Sequence, residues 1–392
     1  MPIDSILTKN EKLKIKSHEI GRKLVLECED ETAYYCPYCG SYELRTKDTF
    51  IRNIKHITIG GKPSIMRIKT HKYCCKSCGK YFNGSPKGIL KNQQSSEGLK
   101  TEVFYRHCEG VSKKDLSYDM GVSDSSIERW FQQGYRKKNK EYSNARCPMV
   151  LGIDEHHFSK KQGYVTTLVN LSKRKVFDVL PGRSERELVP YLTRLQGKDK
   201  VRIVVMDLSA NYRSIIRKYF PNAMIVADRF HVVKLALESF IKTAYTLDTD
   251  LKKKFGLGRL LRKKRCNLND KQQALLSKYF ETQPTVETIY EVTQKLIELL
   301  NEKRCKYKDC KNRLVPMLIN FIEVLKDCGF EHFKKLGRTM DSWQSEIGRM
   351  FRFTKSNGIT EGFHRKMKLI QRRAYGFRSF ANYRLRVRVL CA

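Results

Sequence analysis

Three aspartates in the middle of the chain each follow a short apolar run. They are Asp154, Asp207 and Asp228. Because ligands of open α/β sheets bind at the carboxyl ends of strands, aspartates that follow neighbouring strands are expected to meet at one edge. Carboxylates that converge from separate elements can hold two divalent metal ions roughly 4 Å apart, which activate a nucleophile and stabilise a leaving oxygen in phosphoryl transfer. The pattern therefore indicates a metal-dependent site.

A further acid, Glu361, stands alone in a basic C-terminal region. From residue 351 to residue 392 there are eleven lysines and arginines and one carboxylate. Asn357 and Gly358 break the preceding segment, and Thr360 can begin a helix that carries Glu361 in its first turn. Either a metal ion or a salt bridge to Arg365, four residues later, would neutralise this carboxylate. Spacing alone favours neither.

The acids are positioned by strands and helices that alternate between residues 148 and 235. Apolar or β-rich runs occupy 149–153, 164–169, 175–180, 201–206 and 224–227, and helical patterns occupy 184–196, 212–220 and the segment from 230. The order β-β-β-α-β-α-β-α predicts a mixed sheet that starts with a hairpin and carries helices on its faces. We predict that the first strand ends at Asp154. Asp228 could either line the site or cap the helix that follows it.

Two C-x-x-C-G knuckles lie near the N-terminus. Cys36 and Cys39 form the first, and Cys75 and Cys78 form the second. The two-residue spacing lets both sulfurs of a knuckle face one ion, and four thiolates suit tetrahedral Zn²⁺. Redox-active pairs are the alternative. A structural zinc is favoured because it would replace the core that so small a module lacks.

Residues 111–131 fit two short helices joined by a tight turn. Ser112 can begin the first helix, Gly121 permits the turn, and Ser123 can cap the second helix. The apolar side chains expected to pack inward are Ile127, Trp130 and Phe131. In a helix-turn-helix, the polar side chains that face the major groove would be Ser125, Ser126 and Arg129. An ordinary helical hairpin is the alternative.

The charge of the chain indicates a polyanionic partner. Of its 392 residues, 78 are lysine or arginine and 41 are aspartate or glutamate, a surplus of 37 positive charges. Nucleic acid is the usual partner of such a surplus. No apolar stretch approaches the roughly 20 residues that span a bilayer, and the first ten residues lack the apolar segment of a signal peptide. We therefore expect a cytoplasmic protein that binds double-stranded DNA and no membrane.

Five motifs in order carry a resemblance to one protein family. They are Gly152-Ile-Asp154-Glu, Val205-Met-Asp207-Leu-Ser, Val226-Ala-Asp228-Arg-Phe-His231, Ser356-Asn-Gly-Ile-Thr-Glu361-Gly and Arg372-Arg-Ala-Tyr-Gly-Phe-Arg378. Together they resemble the ISL3 family of bacterial and archaeal insertion-sequence transposases over nearly the whole chain. The sequence departs from the family pattern at Phe363-His364, where small or amide residues are expected. We expect this pair to lie near the site but outside it.

The resemblance implies a fold and a set of residue roles. It implies an RNase H-like α/β domain of the DDE type, in which Asp154, Asp207 and Glu361 bind two Mg²⁺ or Mn²⁺ ions. Asp228 and His231 are expected to support this triad. The residues expected to hold DNA phosphates are Lys355, Arg365, Lys366, Lys368, Arg372, Arg373 and Arg378. Transposases usually act as multimers, so a homo-oligomer is expected on DNA.

The predicted domain boundaries follow from these assignments. We expect a zinc-ribbon-like domain at residues 1–90, a helix-turn-helix domain at 91–147, and a catalytic domain in two parts, 148–239 and 346–392, around a helical insertion at 240–345. Two rival functions remain open. A DNA-binding regulator would not need acids at strand ends, and a structure-specific nuclease of the same fold would cut DNA without joining it.

Overall fold

The structure, a computed structural model, describes residues 3–143, 146–160, 162–253, 256–353, 358–374 and 376–392. The chain divides into two compact units. The first comprises residues 1–144 and 370–378, and the second comprises residues 145–369 and 379–392. Each unit is described by itself.

The first unit contains a five-stranded sheet of order β1-β2-β4-β3, in which β5 also pairs with β4. Its first elements are α1 (Ile3–Thr8), β1 (Leu13–Ile20), β2 (Leu24–Asp30), β3 (Leu44–Ile59), β4 (Lys62–Cys75) and β5 (Tyr81–Asn83). Strands β3 and β4 form one long hairpin that turns at Gly60 and Gly61. Both glycines have positive φ, 58° and 75°. A two-residue hairpin turn of type I′ requires positive φ at both of its central residues. The far end of the hairpin brings Leu44 opposite Cys75.

Three helices complete the first unit: α2 (Glu97–Cys108), α3 (Lys113–Met120) and α4 (Asp124–Ser143). The Ser112 hydroxyl accepts a hydrogen bond from the Asp115 amide at 3.2 Å, so it caps α3 as predicted. Gly121 ends α3 in the left-handed conformation, with φ of 59°. Helix α4 begins directly after Ser123. Its apolar side chains Ile127, Trp130 and Phe131 are buried, as predicted.

The second unit contains a mixed sheet of order β10-β9-β6-β7-β8. Its strands and first helices are β6 (Val150–Ser159), β7 (Gly163–Asn170), β8 (Lys175–Pro181), α5 (Glu185–Leu192), β9 (Ile203–Met206), α6 (Ala210–Tyr219), β10 (Met224–Ala227) and α7 (Arg229–Leu247). Strands β6, β9 and β10 are parallel, and β6, β7 and β8 form an antiparallel meander. The predicted mixed sheet and the predicted order of its elements are confirmed.

The described residues from α7 to α14 contain helices and no strand. The helices are α8 (Leu257–Leu260), α9 (Asp270–Thr282), α10 (Pro284–Asn301), α11 (Tyr307–Asp309), α12 (Val315–Asp327), α13 (Glu331–Ser342) and α14 (Gln344–Met350), with a π-helical segment at Cys310–Leu314. Two more helices follow, α15 (Gly358–Arg373) and α16 (Phe380–Leu390). Short 3₁₀ turns occupy Lys198–Lys200, Thr249–Lys252 and Arg265–Asn267.

A single apolar core joins the sheet of the second unit to these helices. Polar contacts reinforce the connection at β10. The Arg229 guanidinium donates hydrogen bonds to the carbonyl oxygens of Glu302 and Met350, at 2.5 and 2.7 Å. Arg349 donates to the carbonyl oxygen of Ile225 at 2.9 Å. The helical segment is therefore attached beside the strand that leads to Asp228.

No helix in the described part of the chain combines the length and the apolar character needed to cross a bilayer.

Candidate active site

Asp154 lies inside β6 and not at its end. The prediction that the first strand ends at Asp154 is wrong, because β6 continues to Ser159. Only residues Val150–Gly152 of β6 pair with the parallel strand β9, whereas Asp154 pairs with Thr167 in the antiparallel ladder to β7. Asp154 therefore stands just past the parallel pairing, still at the carboxyl edge of the parallel strands.

Asp207 and Asp228 directly follow two adjacent parallel strands, β9 and β10. The Asp228 amide donates to the carbonyl of Met206 at 2.7 Å, which joins the two strand ends next to both aspartates. Asp228 is 2% exposed, and its carboxylate accepts a hydrogen bond from the Phe230 amide at 3.4 Å. It is therefore the N-cap of α7, one of the two roles considered for it. His231 lies on the first turn of α7, with Nε2 3.7 Å from Oδ2 of Asp228.

Burial and mutual repulsion raise the pKa values of two of these acids. Burial raises the pKa of Asp154 to about 6, the nearby His231 opposes this rise, and the negative charges of Asp207 and Asp228 add to it. Burial also raises the pKa of Asp207, helped by the charges of Glu155 and Asp228 and again opposed by His231. The three aspartates are thus close enough to interact. Carboxylates in such a setting are stabilised by a cation.

One carboxylate oxygen of Asp207 is a second indication of a cation site. Its Oδ1 is buried and has no hydrogen-bond partner among the described residues. A buried acceptor left without a partner normally costs free energy. A divalent cation with oxygen ligands would satisfy it. The residues present therefore fit Mg²⁺ or Mn²⁺.

Glu361 lies in the first turn of α15, as predicted, but its carboxylate is directed to its own helix. Its side chain is 53% exposed, and Oε1 accepts from Nη2 of Arg365 at 2.7 Å. Among the described residues, the four knuckle cysteines are the sole group of three or more His, Cys, Asp or Glu ligand atoms within 4.8 Å of one another. Asp154 and Asp207 thus interact electrostatically while Glu361 pairs with Arg365, and the metal-binding roles of all three acids stay predictions.

His364, which we expected near the site but outside it, contacts Asp154. Its Nδ1 lies 3.8 Å from Oδ2 of Asp154, and its Nε2 lies 3.2 Å from the hydroxyl of Thr167. Burial lowers the pKa of His364 to about 4, so the ring is neutral at pH 7. The sequence held one signal for this contact: His364 follows Glu361 by three residues, so both lie on one helical face.

The two histidines after Asp154 differ from each other. His156 is buried and bonds to Thr167 and Tyr383, whereas His157 is exposed beside Tyr164.

The four predicted zinc ligands form one cluster. Their Sγ atoms all lie within 4.8 Å of one another, with 3.6 Å between Cys36 and Cys78 and 3.5 Å between Cys39 and Cys75. Tetrahedral Zn–S bonds of about 2.3 Å require sulfurs roughly 3.8 Å apart. Hydrogen bonds from backbone amides, that of Cys78 first, lower the pKa of the Cys75 thiol to about 6, whereas contacts with the neighbouring thiols raise the pKa values of Cys39 and Cys78.

The two knuckles have the same backbone geometry. The amide of Gly40 donates to the carbonyl of Cys36, and the amide of Gly79 donates to the carbonyl of Cys75. Both glycines have positive φ, 75° and 71°. The arrangement fits the zinc ribbon that we predicted.

The DNA-contact residues predicted for the helix-turn-helix lie at the start of α4. Ser125 and Arg129 are exposed, and Ser126 is half-buried beside Arg129. Ser126 and Arg129 line a groove of about 610 Å³ together with Lys55, Gln93 and other polar residues. The surface is polar and basic, as contact with DNA requires.

The predicted phosphate-contact residues that the structure describes are all exposed. They are Arg365, Lys366, Lys368, Arg372, Arg373 and Arg378. Three of them also have partners within the chain: Arg365 pairs with Glu361, Lys366 donates to the carbonyl of Leu390, and Arg373 donates to the carbonyl of Glu109. Lys355 lies outside the described residues.

Comparison with known proteins gives an independent result. The model of a transposase family, ISL3 of the DDE type, matches residues 151–387. The chain is 21% identical to the transposase for insertion sequence element IS1001 of Bordetella parapertussis over 374 residues, which cover 90% of this chain and 87% of that protein. It is 22% identical to the transposase for insertion sequence element IS1557 of Mycobacterium tuberculosis over 273 residues, which cover 62% of this chain and 59% of that protein.

Proposed function

The chain belongs to the ISL3 family of insertion-sequence transposases, and from this premise we propose its reaction. It cleaves DNA at the ends of its element and joins the freed 3′-hydroxyls to target DNA. Two Mg²⁺ or Mn²⁺ ions are held by Asp154, Asp207 and Glu361. No covalent bond forms between protein and DNA.

The observation that carries this proposal is the half-buried acidic pair at the carboxyl edge of β6 and β9. Asp154 and Asp207 have raised pKa values, and Oδ1 of Asp207 is buried without a hydrogen-bond partner in the described structure. A protein that only bound DNA would gain nothing from two half-buried carboxylates whose charges repel each other. Asp154 and Asp207 would hold divalent cations, which would supply the missing positive charge and the Lewis-acid chemistry that phosphoryl transfer requires.

Individual residues of the chain would have separate roles in holding the metals, the helix α7 and the DNA. Asp154 and Asp207 would hold the metals from strands that share one sheet, which fixes their separation. Asp228 would keep α7 in place as its N-cap, and His231 would balance the charge beside it. The exposed arginines and lysines of α15 would hold the phosphates of the DNA ends.

Glu361 would have to leave Arg365 to complete the triad. The ion pair is on the surface, and exposed pairs contribute little to stability. Glu361 and Arg365 can therefore exchange partners when metal and DNA arrive, with the carboxylate going to metal and the guanidinium to phosphate.

We also assign the parts of the chain within this proposal. The mixed sheet of the second unit would be an RNase H-like catalytic domain, interrupted by the helical insertion at residues 240–345. The cysteine cluster and the helix pair α3–α4 would be a zinc ribbon and a helix-turn-helix that recognise the terminal repeats. The domain boundaries and the homo-oligomer on DNA given under Sequence analysis remain part of the proposal.

A cleavage and strand-transfer assay on DNA that carries the element's own ends tests this function. Wild type is compared with Glu361→Gln and Asp207→Asn in Mg²⁺ and in Mn²⁺, and end binding is measured in parallel. We expect joined products from wild type and none from either variant, with binding retained. Cleavage without joining would indicate a nuclease, and binding without cleavage would indicate a regulator. Full activity of Glu361→Gln would remove Glu361 from the triad.

A further inference from the structure

A chain of hydrogen bonds runs from helix α16 to His364, whose ring faces the carboxylate of Asp154. The hydroxyl of Tyr383 lies 2.9 Å from Nε2 of His156, and Nδ1 of His156 lies 3.1 Å from the hydroxyl of Thr167. The Thr167 hydroxyl also lies 3.2 Å from Nε2 of His364. Nδ1 of His364 faces Oδ2 of Asp154 at 3.8 Å. The chain thus connects α16, β6, β7 and α15.

The chemistry of the four side chains determines which atom donates and which accepts in each of these hydrogen bonds. A proton on Nδ1 of His364 is favoured, because the carboxylate of Asp154, 3.8 Å away, attracts an N–H and repels a bare nitrogen lone pair. Nε2 of His364 is then an acceptor, and the single hydroxyl proton of Thr167 must be directed there. His156 then donates through Nδ1 to Thr167 and accepts from Tyr383 through Nε2. Every donor has an acceptor, with both rings neutral.

The residues of this hydrogen-bond chain are shielded from water. Thr167 and Tyr383 are fully buried, His156 is 5% exposed, and the His364 side chain is 12% exposed. Hydrogen bonds in such surroundings hold their geometry more firmly than exposed ones, because water does not compete for them.

From this geometry we infer that His364 is a positioning residue for Asp154 and Glu361. Its ring orients the carboxylate of Asp154 and, through Thr167, fixes the first turn of α15 against β7. Because Glu361 precedes His364 by one turn, the same contact sets the position of Glu361 along the sheet edge. The inference rests on the proposed function, in which these two carboxylates bind metal.

The apolar contacts of α15 cannot do this alone. Met367 is fully buried, and Ile359 and Phe363 pack against the core of the second unit. Such contacts hold the helix to the sheet but tolerate small rotations, whereas hydrogen bonds are directional. The oxygens of a two-metal site must be placed to within roughly 0.5 Å. A polar contact next to the site meets that requirement.

Three substitutions of His364 separate its two contacts. In His364→Asn the amide nitrogen takes the place of Nδ1 and keeps a donor for Asp154. In His364→Gln the amide takes the place of Nε2 and keeps a partner for Thr167. His364→Leu keeps the size and loses both. His332→Leu, on α13, is the matched control for replacing a histidine in a helix.

The readouts are Mn²⁺ affinity of the complex with end DNA, measured by electron paramagnetic resonance, and the cleavage rate. Partners of metal ligands typically change either by 10–100-fold. We therefore expect His364→Leu to lose about 10–100-fold in both, His364→Asn to recover most of the Mn²⁺ affinity, and His332→Leu to match wild type. Melting temperatures and end binding confirm that each variant folds.

Thr167 offers a second test away from the carboxylate. Thr167→Val removes the hydroxyl and keeps the shape, and Thr167→Ser keeps the hydroxyl. We expect hydrogen exchange at the amides of residues 361–366 to accelerate in Thr167→Val and to stay as in wild type in Thr167→Ser.

The outcomes separate this inference from the proposed function. Wild type that binds Mn²⁺ without cutting DNA contradicts the proposed function, while a weaker Mn²⁺ affinity in His364→Leu still supports the inference. Equal Mn²⁺ affinity in wild type and His364→Leu overturns it, as does a His364→Asn variant no better than His364→Leu. Wild type that binds no Mn²⁺ at all overturns both.

Discussion

Asp178 and Arg384 form a partly buried two-pronged ion pair, although they are 206 residues apart in the chain. Nε of Arg384 donates to Oδ1 of Asp178 at 2.7 Å, and Nη2 donates to Oδ2 at 2.6 Å. Arg388 approaches the same carboxylate at 3.8 Å. The pair joins α16, which carries Tyr383, to β8 at the edge of the sheet. Correct placement of Tyr383 beside His156 depends on it.

Breaking this pair should destabilise the second unit. Asp178→Ala leaves two arginines without their carboxylate. Because the Arg384 side chain is 33% exposed, the cost should be below the roughly 3 kcal/mol lost when a fully buried pair is broken. Urea denaturation of wild type and variant measures the difference. The exposed pair of Asp309 and Arg313 on one helix is the control, and Asp309→Ala should cost far less. Equal losses in the two variants would contradict the structural role of Asp178.

The buried acids should lower stability at neutral pH when no metal is present. The pKa of Asp154 rises from 3.8 to about 6 on folding, so the folded state disfavours the ionised form. This penalty is complete above pH 6 and disappears below pH 3.8. Asp154→Asn should therefore be more stable than wild type at pH 7, by an amount on the order of 2 kcal/mol, and equal to it near pH 4.

Thermal melts in metal-free buffer at pH 4, 5.5 and 7 follow this difference. The exposed Asp327→Asn on α12 is the control and should change stability little at each pH. Addition of Mg²⁺ should stabilise wild type and not Asp154→Asn, which reverses their order. A variant less stable than wild type at pH 7 without metal would contradict the electrostatic description of the site.

Loss of one knuckle cysteine should release zinc. Cys36→Ser leaves three thiolates for an ion that requires four ligands, so we expect loss of the single bound zinc and of end-DNA binding. Cys74→Ser changes the neighbour of a predicted ligand and should keep the metal. Zinc content by atomic absorption and binding by gel shift measure both effects. Full zinc occupancy in Cys36→Ser would exclude the four-cysteine site.

The two sets of predicted DNA-contact residues should differ in sequence dependence. Arg129→Ala should weaken binding to the terminal repeat by about 1–3 kcal/mol and binding to unrelated DNA much less. Arg372→Ala should weaken binding to both DNAs and lower the salt dependence by about one counterion. Titrations at several salt concentrations separate the two patterns. Equal effects of both variants on both DNAs would contradict the assignment of α4 to sequence recognition.

Local sequence signals were enough to predict the sheet of the second unit and the cysteine cluster. Apolar runs bounded by polar turns predict β6–β10 in the correct order, because each of these strands is a separate apolar or β-rich run in the sequence. The two glycine-followed knuckles predict the cluster because the ligands come in adjacent pairs. Gly121 predicts the end of α3 because few other residues adopt its φ.

Contacts between distant parts of the chain could not be predicted in this way. The apolar run before Asp154 stops at that residue, but pairing with β7 extends β6 by five more residues, and pairing partners are not encoded locally. The ion pair of Asp178 with Arg384 and the contact of His364 with Asp154 each join residues about 200 positions apart. Helical spacing puts His364 on the same face as Glu361, but no local sequence signal indicates that this face packs against β6.

The oxygen of Asp207 that lacks a hydrogen-bond partner in the described structure also bears on how copies of such an element evolve. Without metal, a half-buried carboxylate of this kind opposes folding, so a copy that acquires Asp207→Asn would fold without depending on metal at this site and would retain the unit assigned to end recognition. Selection for stability would then not preserve the aspartate, and selection for movement would. Inactive copies would then accumulate as well-folded proteins that occupy the ends of active copies and repress them.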